Sequence, residues 1–177
     1  MFLERILEII QHIWKEILPW TVVDAGHHCG IFRLGIYHRT LEPGFHWKMP
    51  FVEEVNTHNT CVTTLRLEPQ TLTTLDGVAV VVAAIVKYQI EDIKPYLTEI
   101  WDQNDVLADV TMGAIRTLVS QTDYATLVRE PPDAPVATAV RREVNRFGFK
   151  IHKVTFTDIG RMKSLRLITH APINMDN

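Results

Sequence analysis

The sequence predicts an α+β domain preceded by an amphipathic helix, and changes in its hydrophobic period are what predict it. Apolar residues recur at helical spacing from Met1 to Leu18, take extended, β-branched patterns from Thr21 to Ile90, and return to helical spacing from Asp92 to Phe147. One last alternating stretch follows. Strands, then helices, then a strand is an order of segregated elements, not of repeating βαβ units.

Size and charge narrow the function. A chain of 177 residues, 46% hydrophobic and 22% charged, suits one domain of ordinary size plus an appended element. A net charge of -3 gives no basic footprint for neutralising phosphates, so nucleic acid is not an expected partner. Cys29 and Cys61 form no C-x-x-C pair and are too few for a disulfide scaffold, which predicts free thiols on a reducing side.

In the first segment Phe2, Leu3, Ile6, Leu7, Ile10, Ile13, Trp14 and Ile17 share a wide apolar face, with Glu4, Arg5, Glu8, Gln11, Lys15 and Glu16 opposite. Charged or polar groups interrupt every turn, so the segment does not read as a membrane span. The same interruptions, with no small-residue cleavage pattern, make it a poor secretory signal. Pro19 ends the helix, and Trp20 joins Trp14 as an amphipathic ring suited to a headgroup interface. Two sites suit the apolar face: the plane of a bilayer surface, or protein, whether this chain's own core or another chain. Three acids against two bases leave apolar area, not lipid charge, as the attraction to a membrane.

The body then reads in order. Thr21 to Ala25 and Cys29 to Tyr37 are β-rich and punctuated by Gly26, Gly30 and Gly35. Leu41 to Phe51 holds a Pro43-Gly44 turn and a short strand in which Phe45, Trp47 and Phe51 alternate. Val52 to Leu67 reads as one Thr-rich strand closed by Pro69, and Asp76-Gly77 as a hairpin turn before the apolar run Val78 to Val86, the expected buried strand. Helices are predicted around Tyr96 to Trp101, from Val106 to Val119 with Asn104 or Asp105 as cap, over Tyr124 to Val128, and over Ala134 to Phe147 with Gly148 closing the end. Phe149 to Asp158 is the final strand, and Met162, Leu165 and Ile168 suit a short helical face in the tail.

Several of these pieces, in this order, resemble the SPFH or Band 7 family, which includes stomatins, prohibitins, flotillins and erlins. They are PGFHWKMPF at Pro43 to Phe51; Thr74-Leu75-Asp76-Gly77 ahead of a Val-rich strand ending Tyr88-Gln89-Ile90; Ala114-Ile115-Arg116 in a helix; and Phe147-Gly148-Phe149 before a strand ending Asp158-Ile159. The resemblance covers Thr21 to Ile159. It implies a β-rich first part and an α/β second part, and together with the hydrophobic pattern it divides the chain into helix 1–19, domain 20–159 and tail 160–177. It also implies a non-enzymatic scaffold associated peripherally with a lipid surface and self-assembled into a ring. The alternative is a short soluble module that co-assembles with a longer SPFH protein or regulates a membrane protease. Two departures from the family pattern are expected: an amphipathic helix in place of a membrane hairpin or span, and no long C-terminal coiled coil.

Chemistry finds little support. His27, His28, Cys29, His38, His46 and His58 match no zinc spacing, and strand alternation sends His27 and His28 to opposite faces. No G-x-S-x-G, P-loop or Cys-His signature occurs. Glu53-Glu54 and Glu91-Asp92 read as solvated faces, so neither a catalytic residue nor a cofactor or metal is expected.

Overall fold

The computed structural model describes residues 18–162. The predicted N-terminal helix up to residue 17, and the tail from residue 163, lie outside the described residues. Strands β1 (Trp20–Val23) and β4 (Gly44–Trp47) form an antiparallel ribbon. Strands β2 (His27–Arg33), β3 (Ile36–Leu41) and β5 (Glu53–Asn59) form a sheet in the order β3-β2-β5. A third sheet centres on β8 (Ala79–Ile90), which pairs with β6 (Thr63–Arg66) and β7 (Gln70–Thr73) and, along nearly its whole length, with β9 (Phe149–Arg161).

One predicted strand is two, and the glycine-punctuated run before it divides at one of the glycines that mark it. The run Cys29 to Tyr37 folds back at Leu34-Gly35, where Gly35 has φ +81°. Gly30, by contrast, does not break β2. It is buried where an added Cβ would collide with Leu97, so its smallness serves close packing. The run Val52 to Leu67 divides at Thr60 to Val62, where the chain leaves one sheet for another. Thr60 N–H donates to Gly26 O at 2.8 Å and Cys61 N–H to Asn59 Oδ1 at 2.7 Å, satisfying the backbone at that crossing. The Asp76-Gly77 turn forms as predicted, with Gly77 at φ +75° and the Thr74 hydroxyl accepting from Val78 N–H at 3.2 Å.

The helices are α1 (Ile93–Thr98), α2 (Gln103–Ser120), α3 (Tyr124–Arg129) and α4 (Asp133–Val144), the last followed by a 3₁₀ turn at Asn145–Phe147. Aspartates cap three of them. Asp92 accepts from Lys94 N–H, Asp102 from Asp105 N–H and Asp123 from Thr126 N–H, each cap worth about 1 kcal/mol. The cap of α2 is therefore Asp102, not Asn104 or Asp105, and α1 stops before Ile100 and Trp101, leaving Trp101 97% exposed in the connection.

Along β8 the even-numbered residues Val80, Val82, Ala84, Val86, Tyr88 and Ile90 are buried under the helices, in a core shared with Leu107, Ile115, Val119, Val136, Val140 and Phe149. Among the described residues a second, separate core contains Val23, Cys29, Ile31 and Leu41, with Val55 packed against it. Gly148 ties the helical layer to the rest. Its φ is +81°, its carbonyl accepts from Glu91 and Asp92 N–H, and a Cβ there would collide with the Asp92 carbonyl. Both predicted free thiols are thiols, Cys29 buried and Cys61 exposed. Strand β9 outruns its predicted end at Asp158 and carries bulges beside Ala83 and Lys87 of its partner.

Candidate functional site, an exposed aromatic face

An antiparallel register puts directly paired residues on one side of the ribbon. In β1 and β4 the pairs are Trp20 with Trp47, Thr21 with His46, Val22 with Phe45, and Val23 with Gly44. Trp20, Val22, Phe45 and Trp47 therefore share one face, and all are exposed, from 42% to 65%. The other face holds half-buried Thr21 and His46 and the buried core residue Val23. A ribbon ordinarily turns its apolar residues inward and its polar ones to water. This one instead turns its large apolar side chains to water and Thr21 and His46 inward. The aromatic rings pack edge to face, Trp20 on Trp47 at 6.2 Å and Phe45 on Trp47 at 6.0 Å, so the face is a pre-ordered surface.

The apolar surface continues along the chain. Met49, Phe51 and Val52 are exposed in the loop after β4, and Leu34 and Ile36 at the β2–β3 hairpin tip. Leu34 N–H donates to Val52 O at 3.2 Å, which joins tip and loop. Leu34 and Phe51 have φ of +50° and +64°, the two non-glycine residues with positive φ among those described. Large side chains resist that conformation, and here they hold it about four-fifths exposed. At Leu34 the two-residue hairpin loop with Gly35 requires the positive φ, so turn geometry holds this apolar side chain out in solvent.

Glu53 anchors this loop from beneath. Its side chain is 2% exposed and accepts from Arg33 Nη2 at 2.7 Å and from Met49 N–H at 2.9 Å, with Arg39 Nη2 at 3.8 Å. Arg39 also donates to Trp47 O at 2.7 Å. Burial alone would raise the Glu53 pKa, but the Met49 amide, the Arg33 bond and the two guanidinium charges together hold it below the usual carboxylate value. The expected solvated pair is thus corrected: Glu54 is exposed, and Glu53 is a buried ion-pair hub. Nor are the other acids idle, since Glu91 pairs with Lys150 at 2.7 Å and Asp92 caps α1.

A model of the SPFH domain / Band 7 family matches residues 21–167. The chain belongs to that family. Among relatives of this SPFH chain, an uncharacterized protein of Archaeoglobus fulgidus is 25% identical over 140 residues, covering 78% of this chain and 56% of that protein. Protein HflK of Vibrio cholerae is 34% identical over 90 residues, half of this chain and 22% of HflK. The chain thus spans about half the archaeal relative and under a quarter of HflK.

Of the predicted contact residues in this SPFH chain, Phe2, Leu3, Ile6, Leu7, Ile10, Ile13, Trp14 and Ile17 lie outside the described residues, while Trp20 sits on the aromatic face. Sequence reasoning missed Val22, Leu34, Ile36 and Met49 as surface residues. The alternation of Phe45, Trp47 and Phe51 was the available signal, but alternation alone does not say which face is covered. The histidines do not converge. His28 and His58 are register partners, His46 bonds Glu42 O at 2.7 Å, and no trio of potential metal ligands gathers among the described residues. No described helix is long and apolar enough to cross a membrane.

Proposed function

We propose that this SPFH chain is a non-enzymatic scaffold subunit that rests on a membrane surface through its aromatic face and N-terminal segment, and self-assembles there into a ring-like oligomer. The exposed Trp20, Val22, Phe45 and Trp47 carry the reading, because Trp20 and Val22 follow directly on the amphipathic stretch Met1 to Leu18 and strand pairing sets Trp47 and Phe45 beside them. A large apolar side chain gains roughly 1.5–3 kcal/mol when fully removed from water, so partial insertion of four sums to useful adhesion without lipid charge. Repetition around an oligomer turns such marginal contacts into stable attachment.

The test is flotation of the full chain with phosphatidylcholine vesicles, against a Phe45→Ser/Trp47→Ser variant. Both substituted residues are mostly exposed, so the variant keeps its melting temperature and loses most of its flotation. Equal flotation refutes lipid contact by this face. A second reading, co-assembly with a longer SPFH protein or regulation of a membrane protease, draws on the similarity to protein HflK. Under it, the tagged chain expressed in cells recovers an SPFH protein or protease in fixed stoichiometry, and recovery of the chain alone excludes it.

A further inference from the structure

Helices cover one face of the β8 sheet, and the other is open among the described residues. Register places Ala79, Val81, Ala83 and Ile85 on that second face, half-buried and outside the core. The same face becomes basic at one end. Lys87 stands directly opposite Lys153 of β9, and Arg66 of β6 opposite Ile85. Like charges paired across strands repel. Neither lysine has an ion pair among the described residues, and Asp158, the carboxylate on this face of β9, lies opposite Ala83.

One groove in the helical layer carries the reverse pattern. Between α2 and α4 runs a groove of about 530 Å³, lined by the small residues Gly113, Ala114 and Ala139 and bearing the carboxylates Asp109 and Glu143. No cation lines it among the described residues, and Arg142 and Arg146 line a neighbouring hollow that shares Ala139 and Glu143 with it. The buried residues of α2 and α4 point to the sheet, so the groove faces away from it.

We infer that the open sheet face of one copy seats on the α2–α4 groove of a second copy, the apolar stripe against the small residues and Lys87 and Lys153 against Asp109 and Glu143. The inference rests on the self-assembly part of the proposed function and names the surfaces that would carry it. Because the two surfaces lie on opposite sides of one sheet, the contact is head-to-tail. Each added copy presents both surfaces again, and the series closes into a ring if the rotation per copy allows. Small residues on the groove let a pleated sheet approach closely, and opposed charges fix the register between copies.

A charge-reversal exchange tests it. One full-length variant carries Lys87→Glu/Lys153→Glu, giving two acidic surfaces; another carries Asp109→Lys/Glu143→Lys, giving two basic ones. All four side chains are exposed, so both variants fold, as circular dichroism melts verify. In sedimentation velocity, and in cross-linking on phosphatidylcholine vesicles, each variant alone loses assemblies larger than the monomer. An equimolar mixture recovers the wild-type size, because each acidic surface then meets a basic one. Wild-type assembly by either variant alone, or a mixture that stays monomeric, overturns the assignment of these surfaces while leaving self-assembly standing. A wild-type chain that is monomeric in both settings overturns both.

Discussion

Replacing Glu53 by Gln removes a buried charge without changing side-chain size, and its consequences can be worked from the anchor's geometry. The carboxylate takes two short hydrogen bonds, from Arg33 and from the Met49 amide, at a position only 2% exposed. Hydrogen bonds to charged groups contribute about 1.5–3 kcal/mol. Arg33 and Arg39 are 40% and 44% exposed, so their attraction is discounted for solvent screening. Glutamine keeps an oxygen acceptor for one bond and brings an amide donor that faces arginine. A loss of roughly 2 kcal/mol at neutral pH follows.

The pH dependence separates the anchor from a general packing defect. Glu53 has a folded-state pKa below the ordinary glutamate value. Its stabilising contribution is therefore fully present above about 4.3 and is lost as pH falls through the lower folded value. Urea unfolding at a series of pH values measures both effects. The wild type loses this component on acidification, and Glu53→Gln starts lower and lacks it. The variant also floats less with vesicles, because the Met49–Val52 loop is no longer held. Equal stability of the two proteins at pH 7, or equal slopes on acidification, refutes the anchor.

Other perturbations have definite expected outcomes. Gly148→Ala forces a side chain into a left-handed position against the Asp92 carbonyl and costs on the order of 3 kcal/mol in urea unfolding, whereas Gly35→Ala, with open space around it, costs only about 1. Thr74→Val removes the hydroxyl that accepts from Val78 N–H and lowers stability by roughly 1–2 kcal/mol, read as a drop in melting temperature. Burial holds the His58 imidazole below its usual pKa of 6.5, so protonation opposes folding. Stability then falls as pH drops below that value, and His58→Phe removes that component from the acid limb of the pH profile. Trp101→Ala changes stability by less than about 0.5 kcal/mol, since the side chain touches little.

Much of the fold was legible because its signals are local. Asp76-Gly77 and Gly148 set turn and helix end through backbone conformation, and the helical period of α2 and α4 exposes their core faces. The break at Thr60 to Val62 was not legible, because no glycine or proline marks it and the chain departs only to join another sheet. The same holds for the functional face. Trp20 and the alternating Phe45 and Trp47 are visible in sequence, but only the β1–β4 register shows that they gather on one side, uncovered. Glu53 was misread for the converse reason: its burial depends on Arg33 and Arg39, which lie 20 and 14 residues upstream.

The small core of Val23, Cys29, Ile31 and Leu41 has a consequence for how the molecule opens. So few buried side chains cannot match the cooperativity of the large core around β8, so amide hydrogens of β1 to β5 exchange sooner than those of β8 and α2. The part that bears the aromatic rings is therefore expected to open before the β8 core does. Any surface that covers those rings acts on it as a missing second layer, binding the closed form over the open one and slowing exchange there by mass action.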